Sequence, residues 1–416
     1  MKVLIISIGT RGDMEPFLAI GALLKQCGHE VIAAFPNQFR KLAQDTDISF
    51  HSLGPEFIEL LDSEDGQIAM GRKFGLKKLR SIYSLATKHQ HVQKILVQKQ
   101  QQIVEEVKPD FIIHHAKAMY PLIWEVLNPN RTVLISPVPY LHYVKNHSHL
   151  AFNRNFGPFL NKLTYQLADW GLIKLAGKAL KMLDIKVVKK AQIKKALYEH
   201  KVIYTVSPQL FVRPKEWAPH LKVLGYHERR KTTHWKPGDE LKDFLQRHKK
   251  ILFITFGSMS NLDPEGNTHL LVDLVTKHQI PSIINTAAGG LIKPKNWDHN
   301  LLYFVSNIPY DWIFERVYAV IHHGGSGTTH TALKYGCATM IIPHIIDQFV
   351  WNKIVTSKGC GPLGIPISKL SERRIERKLL SLWENKAYKM QAKKISEAMK
   401  SEDFEKQLIF ELTRMR

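Results

Sequence analysis

Eight consecutive residues near position 325 combine glycines, hydroxyls and histidines in an order suited to binding phosphate. They are His322-His323-Gly324-Gly325-Ser326-Gly327-Thr328-Thr329. This octet lies between an apolar run at 318–321 and a helical pattern at 331–335, which predicts a strand-to-helix turn. Such a turn offers unpaired N–H groups and the positive end of a helix dipole, and glycine lets the backbone approach a phosphate. The three hydroxyls and the His323 ring add donors, so we predict a diphosphate site; a tight turn with a capped helix would also use these glycines.

A carboxylate and an amide follow further along the chain, as Asp347-Gln348. Residues 338–343 read as a buried strand, and the pair comes just past its carboxyl end. That edge of an α/β sheet is where ligands bind. A carboxylate accepts hydrogen bonds and an amide both accepts and donates, so together they can hold vicinal sugar hydroxyls. The pair is therefore predicted to bind a sugar beside the diphosphate.

The first strand, residues 3–8, leads into a second candidate segment, Gly9-Thr10-Arg11-Gly12-Asp13-Met14-Glu15-Pro16. Asp13 is predicted in a loop before a helix that starts near Pro16, since proline suits a first helical turn. A carboxylate there could act as a general base, and an ordinary helix-capping role fits the position equally well.

Another loop follows the strand at 111–113 and carries His114, His115 and Lys117 to the same edge. Any of these could orient a substrate or serve as the base, because the pKa of histidine lies near working pH. Histidines at strand ends are more often structural, so Asp13 is the first choice.

The order of apolar runs and helical stretches predicts an α/β protein with two doubly wound domains. The chain has 416 residues, which is too long for one ordinary core. We expect an N-terminal Rossmann-like domain at 1–225, a linker at 226–250, a second Rossmann-like domain at 251–385 and a helical tail at 386–416 that packs back on the first. The two domains would face each other across a cleft between their sheet edges.

A large basic surplus is the main signal of the composition. Lys and Arg outnumber Asp and Glu by 59 to 37, a formal charge of +22, which favours a polyanionic partner. No nucleic-acid-binding motif is present, so nucleic acid is not expected. The charge concentrates at 72–99 and at 161–201, and the second stretch holds ten lysines against three acidic residues among apolar side chains. Basic amphipathic helices are typical of membrane surfaces, although two solvated helices would give the same pattern.

Targeting and metal-binding signals are missing from the sequence. The apolar N-terminal run is too short for a signal peptide, and no run approaches the roughly 20 residues of a membrane span. We therefore expect a cytoplasmic protein, with peripheral contact on the inner face of an anionic membrane as an option. The three cysteines show no CxxC spacing, which argues against a disulfide framework or a zinc site. No metal and no cofactor are predicted.

Four segments resemble the inverting glycosyltransferases of the GT-B fold, the family that includes sterol glucosyltransferases, UDP-glycosyltransferases and the enzymes that glycosylate antibiotics. The segments are GTRGDMEPFLAIGALLKQCGHEV, HHAKAMYPLIWEVL, FITFGSM and NIPYDWIFERVYAVIHHGGSGTTHTALKYGCATMIIPHIIDQFVWN. By this resemblance Asp13 is the general base, and the side chains around it form the acceptor site: Thr10, Arg11, Gly12, His114, His115 and Lys117.

The same resemblance assigns the donor site. His323 would contact the diphosphate, Asp347 and Gln348 would hold the sugar, and the remaining donor-binding residues would be Ser258, Asn307, Ile308, Gly325, Ser326, Gly327 and Thr328. Two departures are present: Tyr310 stands where histidine is usual, and His344-Ile345-Ile346 replaces an aromatic-glycine turn. The first departure bears on recognition of the nucleobase, and the second on recognition of the sugar.

The resemblance implies metal-independent transfer of a hexose, with UDP-glucose as the expected donor, to a hydroxyl of a hydrophobic small molecule such as a sterol, terpenoid, polyketide or flavonoid. An apolar acceptor site is also indicated by the aromatic and aliphatic side chains Leu141, Tyr143, Phe152, Phe156 and Phe159. Two alternatives stay open: a nucleotide-sugar epimerase of the same fold, and a basic membrane-surface protein without catalysis.

Overall fold

The computed structural model describes residues 1–63, 76–152, 154–229, 235–257, 259, 261 and 263–414. The described residues form two compact units. Helices and strands of the first unit lie before residue 230 and in residues 403–414, and those of the second lie between 230 and 402, except that residues 76–78 group with the second unit.

The first unit is built on a seven-stranded parallel sheet in the order β3-β2-β1-β4-β5-β6-β7. Apart from the polar, partly exposed edge strand β3, its strands are mostly apolar and buried, as expected when helices cover both faces of a parallel sheet. They are β1 Lys2–Ile6, β2 Glu30–Phe35, β3 Ser49–Ser52, β4 Phe111–His115, β5 Thr132–Ser136, β6 Val202–Tyr204 and β7 Leu221–Val223.

The second unit contains a five-stranded parallel sheet in the order β10-β9-β8-β11-β12. Its strands are β8 Leu252–Thr255, β9 Ser282–Asn285, β10 Leu302–Val305, β11 Ala319–His322 and β12 Ala338–Ile341. Two parallel doubly wound sheets confirm the predicted fold class.

The described α-helices connect and cover these strands. They are α1 Arg11–Gln26, α2 Arg40–Gln44, α3 Glu56–Asp62, α4 Leu76–Val107, α5 Tyr120–Leu127, α6 Pro158–Met182, α7 Lys190–Glu199, α8 Asp239–Arg247, α9 Pro264–Lys277, α10 Tyr310–Ile313, α11 Ser326–Lys334, α12 Ile346–Ser357, α13 Glu372–Glu384, α14 Lys386–Lys400 and α15 Glu405–Thr413. Within the described residues, none of these helices is long and apolar enough to cross a lipid bilayer.

Both sheets reverse their strand order at one point, and the candidate residues follow the strands on either side of it. In the first sheet the reversal lies between β1 and β4, and in the second it lies between β8 and β11. The loops that leave neighbouring strands at such a point diverge to opposite faces and open a crevice at the carboxyl edge of the sheet. The fold therefore gives each unit one natural ligand-binding edge.

The start of α1 differs from the prediction. The helix begins at Arg11, so Asp13 lies in its first turn and not in a loop before it. The helix starts early because Thr10 is the N-cap and the Asp13 side chain accepts the Thr10 N–H, which satisfies an end group of the backbone. Pro16 is then inside the helix, where its missing N–H costs one intrahelical bond.

The C-terminal helices are divided between the two units. Helix α14 groups with the second unit and α15 with the first. Leu408 and Leu412 of α15 are buried in the core beneath β1 and β2, and Glu411 forms an ion pair with Lys222 at 2.6 Å. The segment expected as a linker, 226–250, contains α8, whose Leu241 and Phe244 are buried in the second core.

Candidate functional site

The carboxylate of Asp13 is fixed at the carboxyl edge of the first sheet. Its Oδ2 accepts the Thr10 N–H at 2.7 Å, and the Ser7 hydroxyl donates to the Asp13 carbonyl at 2.9 Å. The side chain folds back over Gly9, whose φ is +147°. A Cβ at Gly9 would overlap Oδ2, so this close approach requires glycine. About one fifth of the Asp13 side chain stays exposed, at 19%.

Two residues from the end of β4 face the other carboxylate oxygen. Lys117 Nζ lies 3.3 Å from Oδ1, and His115 Nε2 lies 3.6 Å from the same atom. His115 Nδ1 lies 3.0 Å from the Ile8 carbonyl, so this nitrogen carries the proton and Nε2 presents a lone pair when the ring is neutral. Asp13, His115 and Lys117 therefore form one cluster, as their spacing predicted.

The charge state of this cluster follows from burial and from the lysine. Burial lowers the pKa of His115 to about 4, so the ring is neutral at physiological pH. Burial alone would raise the pKa of Asp13, but the charges of Lys117 and His115 and the Thr10 N–H together hold it below its usual value. Because His115 is neutral at pH 7, Lys117 is the cation that keeps Asp13 ionised there.

His114 is not part of this cluster. Successive side chains of a strand point to opposite faces, and His114 is buried on the other side of β4 from His115. Its ring stacks on that of His200 with centroids 5.0 Å apart, and burial lowers its pKa to about 3. A buried neutral histidine pair of this kind is structural, so the assignment of His114 to the acceptor site is corrected.

The remaining residues predicted for the acceptor site differ in their exposure and in their hydrogen-bond partners. Arg11 is exposed and donates to Glu15 at 3.2 Å, and Glu15 also binds Arg229 at 2.8 Å. Gly12 is exposed, and the Thr10 backbone is occupied by Asp13. These groups hold the first turn of α1 in place, which positions the carboxylate.

In the second unit, the octet forms the predicted strand-to-helix turn. Strand β11 ends at His322 and α11 begins at Ser326, with Gly325 as its N-cap. The His323 ring lies over Gly325 and beside Gly257, which follows β8. A Cβ at Gly325 would lie 2.5 Å from His323 Nε2, so glycine is needed for the ring to reach the start of the helix. An imidazole and the N-terminal backbone amides of α11 therefore lie together at one helix N-terminus.

Three buried histidines surround this turn, and each has one ring nitrogen without a hydrogen-bond partner among the described residues. These atoms are His322 Nε2, His323 Nδ1 and His344 Nε2. Burial lowers the pKa of His322 to about 3 and that of His344 to about 4, and it also lowers the pKa of His323 far below its usual value. The turn is therefore lined by neutral imidazoles, each with a ring nitrogen that can still form a hydrogen bond to a ligand. His344 was noticed in the sequence only as a departure from the family pattern.

The hydroxyls of the octet are not equivalent. Thr329 donates to the Gly325 carbonyl at 2.9 Å inside α11, so its hydroxyl is not available to a phosphate, contrary to the prediction. Thr328 is partly exposed, and its hydroxyl makes no hydrogen bond to the residues that the structure describes. Ser326 is nearly buried, with its Oγ 3.4 Å from His330 Nδ1. Thr328 is therefore the hydroxyl best placed to receive a ligand.

Asp347 and Gln348 lie in the first turn of α12, just past β12. Gln348 Oε1 accepts from the His344 N–H at 2.6 Å and from the Ile345 N–H at 3.1 Å. Its carbonyl therefore caps the helix, and only its Nε2 group is left to donate to a ligand. Asp347 is partly exposed at the same edge.

The other donor-site candidates lie at the ends of β8 and β10 or outside the described residues. Ser258 is among the residues that the structure does not describe. Asn307 is exposed. The Ile308 side chain is buried in the core, so only the backbone of this residue could contact a nucleobase. The Tyr310 hydroxyl lies 2.8 Å from Thr255 Oγ1, and its ring stacks on Phe314, so Tyr310 is anchored at the end of β8.

Possible metal ligands do not converge in the described part of the chain. No group of three or more His, Cys, Asp or Glu side chains is placed there to hold a metal ion. The features that could bind an anion at the octet are amides, a hydroxyl and imidazoles.

Comparisons with known proteins show similarity to glycosyltransferases in both halves of the chain. Residues 3–123 match the glycosyltransferase family 28 N-terminal domain, and residues 296–415 match the C-terminal domain of erythromycin biosynthesis protein CIII-like proteins. A sterol 3-beta-glucosyltransferase of Arabidopsis thaliana is 30% identical over 97% of this chain and 64% of its own length. The similarity to glycosyltransferases therefore extends over nearly the whole chain. A sterol 3-beta-glucosyltransferase of Eremothecium gossypii is 26% identical over 96% of this chain and 33% of its own length.

Solved structures share the fold of this chain. The glycotransferase of kitacinnamycin has a TM-score of 0.71 at 12% identity and covers 100% of this chain and 99% of its own. The glycosyltransferase VinC, in complex with dTDP, has a TM-score of 0.69 at 14% identity with the same coverage. At these identities the likeness establishes the fold alone. The chain spans about two thirds of the plant relatives and a third of the Eremothecium relative.

Neighbouring threonines offer a test of the phosphate site. We expect Thr328→Val to weaken the binding of UDP by about 1.5–3 kcal/mol, roughly ten- to a hundredfold in Kd, because a hydrogen bond to a charged phosphate is lost. Thr329→Val should leave Kd unchanged and lower the free energy of unfolding by about 1 kcal/mol, since its hydroxyl bonds only within α11. Isothermal titration and urea unfolding measure the two effects. Equal Kd values for both variants, or a weaker Thr329 variant, would contradict the assignment.

Proposed function

We propose that this protein is a glycosyltransferase that moves glucose from UDP-glucose to a hydroxyl of a hydrophobic small molecule, with inversion at the anomeric carbon and without a metal ion. The observation that carries the proposal is the turn at the start of α11, where His323, the helix amides and Thr328 lie close together. Glucose is the sugar that the names of the sterol 3-beta-glucosyltransferases give, and VinC was crystallised with a nucleoside diphosphate. Sterols and similar apolar alcohols are the acceptor class that these relatives support.

In the proposed reaction Asp13 is the general base. The acceptor oxygen attacks the anomeric carbon from the side opposite the diphosphate, and the bond between that carbon and the leaving phosphate oxygen breaks as the new bond forms. The acceptor proton passes to Asp13, and the bonding electrons leave with the diphosphate. A positioned base of this kind contributes about 10²- to 10⁴-fold in rate.

The proton taken by Asp13 has a second acceptor within reach. His115 Nε2 presents its lone pair 3.6 Å from Oδ1, and Nδ1 is held as the donor to Ile8. A proton placed on Oδ1 can therefore be shared with His115, which would stabilise the protonated carboxyl as the acceptor oxygen bonds. In this proposal His115 is a positioning residue for the base.

The leaving diphosphate gains negative charge, and the second unit offers fixed groups to stabilise it. The N-terminal amides of α11 and its dipole favour an anion, and His323 can donate from one ring nitrogen. The neutral His323 ring would be easier to protonate beside a diphosphate, because an adjacent anion raises the pKa of imidazole. These groups would take the part that a divalent cation plays in metal-dependent transferases.

One incubation tests the whole proposal. The protein is mixed with UDP-glucose and a panel of sterols, carotenoids and flavonoids, in the presence of EDTA, and products are identified by mass spectrometry. A glycosylated product with the β configuration is expected. Release of UDP without any glycosylated product would favour an epimerase-type hydrolysis, and transfer that stops in EDTA would rule out the metal-free mechanism.

Asp13→Asn separates catalysis from donor binding. The amide oxygen can still accept the Thr10 N–H, so the first turn of α1 is preserved, but the amide cannot take a proton. We expect kcat to fall by about 10²- to 10⁴-fold while Kd for UDP is unchanged. Single-turnover transfer and isothermal titration give the two values; transfer near the wild-type rate would remove Asp13 from its role.

Lys117→Met should change the pH dependence of transfer. Lys117 lowers the pKa of Asp13, so the carboxylate stays ionised to lower pH than an isolated aspartate, and activity is lost only as pH falls through that lowered value. Without the lysine the pKa rises, and the acid limb of the kcat/KM profile should move to higher pH. Lys249→Met, at an exposed lysine of the second unit, is the control. An unchanged acid limb in the Lys117 variant would show that Asp13 does not govern it.

A further inference from the structure

At the N-terminal end of helix α6, polar side chains face the protein interior and apolar side chains face outward. The side that packs inward carries Asn161, Thr164 and Tyr165, which are buried and hydrogen-bonded to the preceding loop. Asn161 donates to the Lys145 carbonyl at 2.9 Å and accepts the Phe156 N–H at 2.9 Å, and Tyr165 donates to the Ser148 carbonyl at 3.2 Å. These bonds fix which side of the helix faces outward.

The outward side of the same turns is apolar. Phe159 is 82% exposed and Trp170 is 61% exposed, and other large apolar side chains of this surface are also exposed: Phe152, Phe156, Leu160, Leu163, Leu167 and Leu175. At 100° per residue, Phe159, Leu163, Leu167 and Trp170 fall on one stripe about 16 Å long. A surface helix of a soluble protein normally places its polar residues there. We call this stripe with Phe152 and Phe156 the α6 apolar surface.

Lysines continue the stripe where the apolar residues end. Lys174, Lys178 and Lys181 lie on the outward side of the last turns, and all three are exposed. Lys174 Nζ lies 4.8 Å from the centre of the Trp170 ring, which joins the two halves. The one acidic residue of α6, Asp169, is bound by the Tyr198 hydroxyl of α7 at 2.9 Å. The outward side is therefore apolar and then positive.

We propose that the α6 apolar surface docks on a lipid bilayer that contains anionic lipids. Large aromatic and aliphatic side chains that project from a rigid helix can enter the boundary between headgroups and acyl chains, and adjacent lysines gain from the negative surface potential. The net charge of +22 acts in the same direction. A second copy of this chain is a poor occupant, because an α6 surface offers the lysines of its partner few carboxylates: Asp169 is the one acidic residue of the helix and is bound by Tyr198.

The position of this surface links it to the acceptor. The loop that carries Phe152 and Phe156 leaves the sheet after β5, at the same carboxyl edge as Asp13 after β1. Resting on the proposed function, a bilayer held at this edge would supply an apolar acceptor that dissolves poorly in water. Vesicle binding itself is measured without donor or acceptor, so failure of the enzymatic proposal and failure of this one are distinguished.

The test is co-sedimentation of the full-length protein with vesicles of phosphatidylcholine alone and of phosphatidylcholine mixed with phosphatidylglycerol. We expect stronger binding to the mixed vesicles, weakened by salt. The triple variant Phe159→Ser, Leu163→Ser, Trp170→Ser should lose at least about tenfold in partition coefficient. The triple variant Lys174→Glu, Lys178→Glu, Lys181→Glu should lose the preference for anionic vesicles.

Matched controls keep the result specific. Val212→Ser, Leu363→Ser, Met390→Ser removes three apolar side chains that are also exposed, and Lys249→Glu, Lys386→Glu, Lys394→Glu makes the same charge change elsewhere. Both control triples should bind mixed vesicles more strongly than their α6 counterparts. Equal loss in the controls, wild-type binding by the α6 variants, or a dimer that the apolar α6 triple abolishes would overturn the proposal.

A fluorescence experiment uses one conservative substitution, Trp170→Phe. Brominated lipid should quench the fluorescence of the protein, which has eight tryptophans, and Trp170→Phe should remove that quenching while vesicle binding persists. Quenching that survives in Trp170→Phe would place the contact at another surface and contradict docking through α6.

Discussion

Hydrogen bonding between β1 and β4 sets the geometry on which the cluster of Asp13, His115 and Lys117 depends. The register pairs Ile6 with His114, so His115 ends beside Ile8 and donates to its carbonyl. That bond fixes the tautomer of His115 and turns Nε2 toward Asp13. In the second sheet the pairing of His322 with Thr255 similarly brings the octet beside Gly257. Each unit therefore builds its candidate site by pairing two strands whose connections leave in opposite directions.

The sequence was sufficient where a local rule decides the outcome. The glycine octet, its strand-to-helix turn and the two parallel sheets follow from residue types and periodicity. It was insufficient where a side chain has two possible partners. A strand buried on both faces shows no alternation of apolar and polar residues, so the sequence cannot tell which of His114 and His115 faces the site. The Thr329 hydroxyl and the Gln348 carbonyl could each form a hydrogen bond either to a ligand or to the backbone of their own helix. The helix start at Arg11 was missed because Pro16 suggested a first turn, whereas the Asp13 carboxylate accepts the Thr10 N–H and stabilises an earlier start.

The reversed polarity of α6 was beyond sequence analysis for a related reason. Charge counting located a basic stretch at 161–201 and predicted a basic amphipathic helix, either of the membrane-surface kind or with its lysines merely solvated, but it did not predict which side of the helix is covered. In the structure the outward side holds the apolar residues for its first turns, because Asn161, Thr164 and Tyr165 are needed inward to bond the loop after β5. Apolar residues then occur on both sides of the helix, so periodicity cannot show which side is covered.

The ion pair between Lys117 and Asp13 raises a question about base strength, since a lowered pKa makes a carboxylate a weaker base. The cluster suggests how the two requirements are reconciled. Lys117 is about half exposed and its side chain is flexible, so an apolar acceptor that covers Asp13 can displace it and also exclude water. Both changes raise the pKa of the carboxyl, because a compensating cation is lost and the charged form is desolvated. Asp13 would thus be ionised before the acceptor binds and become a stronger base once it is covered, with His115 Nε2 ready to share the proton.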